Sequence, residues 1–322
     1  MSVNTPNYDF LRWRWHAVIF SVVLLIAGGI QIARTGLPLG IDFSGGTIVV
    51  LKFEQQVAED AIRDALEPLP GEKVVQQYGQ PEDHEILVRL PQSDEQSTNL
   101  EQDARRVVDA VSGANLGEFD VVSTEIVGPV VGRDLQRKGI FATVSSLLGI
   151  ALYIAFRFRA SFAIGAIAAS AHDIIITVVV ITALGYELSL NTIAAILTIA
   201  GYSVNDTIVI FDRVRENART LRTATLSEQV NLAVNQTLAR TIITSGTTFL
   251  SVLALFIFGG DVLEGFAATM LVGIITGTYS TVFIASSLAI ALSKNTQLKA
   301  PAAGTRPADA EARARRRERR NA

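Results

Sequence analysis

The sequence predicts an α-helical membrane protein with six transmembrane helices and one α+β domain outside the bilayer. Hydrophobic residues make up 49% of the chain, charged residues only 18%, and the mean hydropathy is +0.35. A soluble domain of this length would have more charge and shorter apolar runs. A helix needs roughly 20 mostly apolar residues to span a bilayer, and six segments meet this requirement. They are residues 16–33, 139–156, 162–184, 190–211, 241–258 and 265–292.

The first apolar segment, 16–33, has two interpretations. It could be a cleavable signal peptide or a transmembrane helix. Its apolar run is long for a signal peptide, and no Ala-x-Ala-like cleavage site follows it. We therefore interpret it as the first transmembrane helix.

The basic residues predict how the six helices are oriented. They are concentrated in four regions on one side of the predicted bundle: Arg12 and Arg14; Arg157 and Arg159; Arg213, Arg215, Arg219 and Arg222; and the tail after the sixth span. Loops rich in Lys and Arg are retained in the cytoplasm. Both ends, residues 1–15 and 294–322, are thus predicted to be cytoplasmic, and the Arg-rich tail is predicted to be a disordered basic extension.

Residues 34–138 form the one large region between spans, on the opposite side of the membrane. Residues 35–134 contain 19 acidic and 7 basic residues, a net charge of −12, which argues against binding to nucleic acid. Period-two and helical patterns alternate along this region. They predict strands at 47–53, 73–78, 85–90 and 119–127, and helices at 57–66 and 100–111. The order β-α-β-β-α-β is typical of a ferredoxin-like domain.

No catalytic motif accompanies this fold. The outer region has His84 as its only histidine and contains neither a nucleophile elbow nor a glycine-rich phosphate loop. The chain has no cysteine, which excludes disulfides and cysteine metal sites. We expect a transport protein rather than an enzyme, with no metal or cofactor, whose energy comes from outside the chain.

Asp206 is the most informative candidate site residue because it lies inside the fourth predicted span. Ser203, Asn205 and Thr207 surround it in the sequence. A carboxylate is costly in hydrocarbon, so it usually faces protein or water and marks an ion or proton path. It is six residues from Asp212, which places it roughly 9 Å from the inner end of the span.

Arg240 is the predicted partner of Asp206. It opens the predicted fifth span, and Thr244, Thr247 and Ser251 follow it at helical spacing. The fourth and fifth helices could therefore bring the two charges together near the inner boundary. The pair could serve a proton path or could be a structural ion pair between these helices, and the spacing does not separate the two hypotheses.

A second polar pair, His172 and Asp173, lies near the middle of the third span. A buried histidine could relay protons, since its ordinary pKa is close to neutral pH. The pair could equally form hydrogen bonds between helices. Both interpretations remain open from the sequence.

Three motifs resemble the signatures of a known family. The first is GIDFSGGT at 40–47, which contains Gly40, Asp42, Phe43, Gly45 and Gly46. The others are GYSVNDTIVIFDRVREN at 201–217 and RTIITSGTT at 240–248. Their order and spacing resemble those of the SecF family, membrane subunits that act with SecD beside the bacterial protein-translocation channel. The resemblance extends from the first span to about residue 292.

The resemblance implies a function and partners. It implies that Asp206 is the aspartate of the proton path and that Arg240 is the arginine paired with it. It implies one half of a resistance-nodulation-division type transporter in the bacterial inner membrane, with the outer domain in the periplasm. SecD would supply the other half. The further partners would be the SecYEG channel, other accessory translocase subunits, the translocating preprotein and the lipid bilayer. The proton-motive force would drive the export of polypeptides.

Three alternatives remain from the sequence. An ion-coupled exporter of small molecules or lipids could have the same architecture. A structural assembly factor would need no titrating Asp206. The coupling ion could be sodium instead of the proton, because Ser203, Asn205 and Thr207 offer oxygen ligands beside the carboxylate.

Overall fold

The computed structural model describes residues 8–69, 73–79, 81–91, 100–221 and 223–294. Apart from Lys294, the predicted basic tail lies outside these residues. Six helical segments in the described part are long and apolar enough to cross a membrane, as the sequence predicts. They are Phe10–Thr35, Val130–Arg157, Ala160–Ala183, Leu190–Thr220, Leu226–Phe258 and Val262–Ser293.

These segments are built from α1 (Arg14–Thr35), α5 (Pro129–Arg157), α6 (Ala160–Ala183), α7 (Leu190–Thr220), α8 (Leu226–Phe258) and α9 (Asp261–Ser280). After α9, a π-helical turn at Thr281–Ala285 leads into α10 (Ser286–Lys294). Because α9, this turn and α10 are continuous, they form the sixth membrane-spanning segment.

Two spans begin ten or more residues earlier than predicted. The helix containing residues 139–156 starts at Pro129, where proline occupies the first helical turn without losing a hydrogen bond. The helix of the fifth span starts at Leu226 instead of residue 241. Thr225 and Glu228 form a capping box there, in which each side chain bonds the other residue's backbone N–H. Arg240 therefore lies well inside α8 and does not open it.

The outer region contains α2 (Ile41–Ser44), β1 (Gly46–Phe53), α3 (Glu59–Ala65), β2 (Val74–Tyr78), β3 (Glu85–Pro91), α4 (Leu100–Gly113) and β4 (Phe119–Val127). Its four described strands form one sheet in the order β2-β3-β1-β4, and every neighbouring pair is antiparallel. Apolar side chains of β1, β3, α3 and α4 form the core, including Val49, Val88, Ile62 and Val107.

The helices α6, α7 and α9 form the buried centre of the membrane bundle, whereas α1, α5 and α8 are mostly exposed. Glycine allows α9 to lie close against α7: a Cβ atom on Gly273 would be 2.1 Å from Ile199 Cδ1, and one on Gly277 would be 3.0 Å from Ser203 Cβ. Small residues permit such close approach of membrane helices. This contact brings the polar side chains of α7 and α9 into the centre of the bundle.

Candidate proton-path site

Asp173 lies at the centre of a hydrogen-bonded network that joins three helices. It is fully buried on α6. Its Oδ2 accepts hydrogen bonds from Ser203 Oγ of α7 and from Ser280 Oγ of α9, the latter at 2.7 Å. His172 Nδ1 lies 3.0 Å from Oδ1. Thus the predicted pair His172–Asp173 makes contact within the chain, and the hydroxyl that was expected beside Asp206, that of Ser203, bonds Asp173.

The network continues towards the π-helical turn. Thr207 Oγ1 lies 3.1 Å from Thr281 Oγ1, and Ser286 Oγ donates to the Thr281 carbonyl oxygen at 3.2 Å. A π-helical turn widens a helix locally and is frequent at functional sites. Sequence reasoning missed Ser280 and Thr281. Their only signal is that they are hydroxyl residues inside an apolar span.

Asp206 also lies on α7, after Ser203, and is buried, with 5% of its surface exposed. Its carboxylate interacts with the Arg240 guanidinium and with the Ser245 hydroxyl, both on α8. The Asp206–Arg240 separation exceeds the 4.0 Å of a salt bridge, so the attraction is electrostatic without direct contact. Ser245 also accepts a hydrogen bond from Thr278 Oγ1 of α9 at 3.1 Å. Ser245 was missed from the sequence, although it directly follows Thr244 in the motif at 240–248.

The two charges lie at the same level of the bundle. Asp206 precedes the end of α7 at Thr220 by 14 residues, and Arg240 follows the start of α8 at Leu226 by 14 residues. Each is therefore roughly 21 Å along its helix from the connecting loop. The antiparallel pairing of α7 and α8 thus brings together residues 34 positions apart in sequence.

The polar side chains that follow Arg240 at helical spacing on α8 point away from the rest of the bundle. Arg240, Thr247 and Ser251 are exposed, and Thr244 is half-buried. Thr244 Oγ1 donates to the Arg240 carbonyl oxygen at 2.9 Å, and Ser251 Oγ donates to that of Thr247 at 3.0 Å. These hydroxyls are thus satisfied by their own helix. Asn205 of α7 is exposed as well, so the structure does not place it against Asp206 within this chain.

The glycine-rich motif connects the outer domain to the start of α7. Asp42 Oδ2 accepts a hydrogen bond from the Leu190 backbone N–H at 2.8 Å, and Gly40 N donates to the Leu188 carbonyl oxygen at 2.9 Å. A carboxylate is favourable at a helix N-terminus, where backbone N–H groups lack partners. The motif's Phe43 is buried. Asp42 therefore bonds the first residue of the helix that contains Asp206.

Gly45 and Gly46 are required by the backbone at this junction. Their φ values are +72° and +133°, which side chains rarely allow. A Cβ atom on Gly132 of α5 would lie 3.1 Å from Gly45 N. Both ends of the outer domain therefore meet at one tight crossing above the membrane bundle.

An ion pair forms a second connection between the outer domain and the bundle. Arg89 of β3 contacts Glu187 in the loop between α6 and α7. Burial raises the pKa of Glu187, and the nearby Arg89 partly opposes this rise. In the same loop, Tyr186 donates a hydrogen bond to Glu264 of α9 at 2.6 Å. Within the described ranges, no group of three or more His, Asp or Glu residues could hold a metal ion.

Comparison with known proteins identifies the class to which this chain belongs. The model of the family "Protein export membrane protein SecD/SecF, C-terminal" matches residues 107–295, and the "SecD/SecF GG Motif" matches residues 32–57. The second match covers the whole glycine-rich motif and all of β1. The chain is a multi-pass membrane protein of this class.

Individual relatives define the family more narrowly. The chain is 40% identical to the protein translocase subunit SecF of Escherichia coli O157:H7, covering 88% of both chains. It is 41% identical to that of Rhodothermus marinus, covering 90% of this chain and 94% of the relative. The chain therefore belongs to the SecF family. A crystal structure of SecDF from Thermus, a translocon-associated membrane protein, has a TM-score of 0.79 and 37% identity. It matches 91% of this chain, which spans 40% of the SecDF chain.

Proposed function

We propose that this chain is an accessory subunit of the Sec preprotein translocase, which together with a SecD-like partner uses the proton-motive force to promote polypeptide export. One observation carries the proposal. The buried acid Asp206 and the bond that joins Asp42 to Leu190 are on the same helix, α7. A change of charge at Asp206 and a movement of the outer domain can therefore be coupled through one rigid element.

The proposed cycle begins with a proton that enters from the outer side. When Asp206 is neutral, its attraction to Arg240 is lost, so α7 and α8 can shift relative to each other. The hydrogen bond from Leu190 to Asp42 and the ion pair between Arg89 and Glu187 transmit that shift to the outer domain. One charge that moves through the membrane potential supplies about 2.3 kcal/mol per 100 mV.

Buried polar atoms mark a route for the proton. In the described part of the chain, five buried side-chain atoms on α6, α7 and α8 have no hydrogen-bond partner: Ser170 Oγ, His172 Nε2, Thr177 Oγ1, Tyr202 OH and Thr241 Oγ1. Buried polar groups are rarely left unsatisfied unless water or another ligand binds them. We assign these atoms to a hydrated path that passes Asp173 and His172 and ends at Asp206, with Ser203, Thr207 and Thr244 as supporting groups.

The partner is proposed to cover the exposed polar faces of α7 and α8. Thr198, Gly201 and Asn205 lie exposed on one face of α7, and Arg240 lies exposed on α8. Small and polar side chains are typical of contacts between membrane helices, whereas a lipid-facing arginine is costly. A SecD-like chain that supplies the second half of a transporter of this type would enclose these groups.

The outer domain is proposed to be ferredoxin-like and to act on the preprotein in the periplasm. Two features support the fold: the element order β-α-β-β-α-β and the antiparallel strand order β2-β3-β1-β4. No catalytic group is needed for this role. The SecYEG channel would deliver the preprotein, and the bilayer would hold the complex in the inner membrane.

The position of the basic residues supports an orientation. Tyr8, the first described residue, donates its backbone N–H to Asn235 Oδ1 at 2.8 Å and so lies beside the basic end of the bundle. We propose that this end is cytoplasmic and that both termini are on the cytoplasmic side. Reporters inserted at Asn115 and Thr223 should be found outside and inside the cytoplasm, respectively. The reverse pattern would overturn the orientation.

The decisive experiment is export from proteoliposomes that contain this chain, a SecD-like partner and the channel. Proton and sodium gradients are imposed separately while preprotein transport is measured. We expect stimulation by the proton gradient alone. Stimulation by the sodium gradient alone would identify sodium, not the proton, as the coupling ion. Export that responds to neither gradient would favour a structural assembly role.

A further inference from the structure

A cavity at the basic end of the bundle remains outside the proposed proton path. It has a volume of about 520 Å³ and is lined by the end of α5, the link to α6, the last turns of α7 and the start of α8. Because α5 begins beside β4 and ends at Arg157, this cavity lies at the end of the bundle away from the outer domain. Its volume is in the range of binding sites for small ligands.

The cavity is strongly basic. Four arginines line it, namely Arg157, Arg159, Arg215 and Arg219. Arg157 donates to both carboxylate oxygens of Asp212, at 2.7 and 2.9 Å. In the described part of the chain, the other three form no ion pair, and no acidic residue lines the cavity. Arg215 and Arg219 are one helical turn apart, where like charges repel unless an anion binds between them.

Apart from Gln229, the other lining groups are apolar or aromatic. Four phenylalanines line the same cavity: Phe156, Phe158, Phe162 and Phe211. Phe158 and Phe162 pack against Phe211 with ring centroids 5.9 and 4.9 Å away, which holds this wall rigid. Phe156 is 95% exposed at the last turn of α5, so its ring extends outwards from the cavity. Cationic groups and an exposed aromatic ring therefore share one cavity at the end of the membrane-spanning helices.

We propose that this cavity binds the head group of an anionic phospholipid of the cytoplasmic leaflet. Arginine binds phosphate with two parallel hydrogen bonds, so Arg215, Arg219 and Arg159 can hold the phosphodiester. The exposed Phe156 then contacts the first part of an acyl chain. Free phosphate would satisfy the arginines but would leave this aromatic edge unused. Basic pockets between membrane helices on the cytoplasmic side are suited to such head groups. The choice of leaflet rests on the orientation proposed above, but the site does not depend on the proposed export cycle.

The test uses the full chain purified in a neutral detergent. Phosphatidylglycerol, cardiolipin, zwitterionic phosphatidylcholine and inorganic phosphate are added separately. Native mass spectrometry measures retained lipid, and thermal unfolding measures stabilisation. The variant Arg215→Gln/Arg219→Gln removes two cations of the cavity. Arg12→Gln/Arg14→Gln is the matched control, since it removes two cations from the same side of the membrane but outside the cavity.

We expect the anionic lipids, and neither of the other two additives, to be retained and to stabilise the chain. The cavity variant should bind them about thirty-fold more weakly, on the basis of about 1 kcal/mol for each lost cation, and the control should bind as the original chain does. An equal loss of lipid affinity in both variants would show that anionic lipids are attracted to basic residues in general, and would overturn the site. The same stabilisation by inorganic phosphate would overturn the lipid assignment.

Discussion

Two buried aspartates in the same bundle have different environments. Asp173 is fully buried and bonded by Ser203, Ser280 and His172, which come from α7, α9 and its own helix α6. Asp206 is also buried, but its cation Arg240 lies on an exposed surface and makes no direct contact with it. The chain by itself therefore completes the environment of one acid and leaves that of the other open.

This difference indicates separate roles for the two acids. A carboxylate whose oxygens are held by several donors stabilises the helices that supply those donors. A carboxylate beside an unpaired cation at an exposed face is free to change its charge and its partners. Asp173 thus joins α6, α7 and α9 beside the proposed proton route, whereas we propose that Asp206 is the acid that titrates, at a face where a second chain docks.

The largest effect is expected from Asp206→Asn. The amide cannot ionise, so gradient-driven export should fall to the level measured without a gradient. Asp206→Glu keeps the acid but extends it by one methylene, and should retain a small part of the activity. The measurement is preprotein export and proton flux in vesicles that contain the partner, at equal protein levels.

The control for this loss is Asp134→Asn, which makes the same change at an exposed carboxylate that pairs with Lys138. It should leave export unchanged. If Asp206→Asn kept the original proton flux and export, Asp206 would have only a structural role. The proton path would then have to run through Asp173.

Asp173→Ala should have the larger effect on folding. Alanine has no side-chain oxygen to accept the two bonds that Ser203 and Ser280 donate to Asp173 Oδ2. Leaving buried donors without an acceptor costs about 1–3 kcal/mol each. The free energy of unfolding of the isolated chain in detergent should therefore fall more for Asp173→Ala than for Asp206→Ala. Equal values for the two variants would contradict the assigned difference.

Substitutions of Arg240 should have different effects on the isolated chain and on the complex. Because its side chain is exposed and makes no direct contact with Asp206, Arg240→Ala should lower the free energy of unfolding of the isolated chain by less than removal of the Asp173 carboxylate does. In the complex, the same variant should reduce export strongly. Arg240→Lys should reduce it only partly, because the charge remains while the planar fork is lost. A large loss of stability in the isolated chain would place Arg240 in the structural class with Asp173.

The sequence predicted the parts of this structure that depend on composition and periodicity. Apolar runs gave the number of spans, and alternating patterns located the strands of the outer domain. The position of Arg240 was missed because a capping box, not the onset of hydrophobicity, starts α8. The bond from Ser203 to Asp173 was missed because the rotation of α7 depends on the contact of Gly273 and Gly277 with that helix. Such contacts involve residues distant in sequence.

The smallest effect concerns Glu187, an acid at the junction with the outer domain whose partner Arg89 comes from the same chain. Burial raises its pKa above the usual 4.5, although Arg89 acts in the opposite direction. The folded chain therefore binds the proton more tightly than the unfolded chain does. Its stability should fall as the pH rises from about 4.5 through the raised pKa, and should be level above it.

Glu187→Gln should remove this pH dependence, with a change of less than about 1 kcal/mol because the ion pair is partly exposed to water. Arg89→Gln should have a different effect: without the cation the pKa of Glu187 rises further, and the decline in stability extends to higher pH. The free energy of unfolding, measured from pH 4 to 8 for all three chains, checks both. If Arg89→Gln moved the decline to lower pH, Arg89 would not be the cation that Glu187 senses, and the ion pair could not link the outer domain to α7.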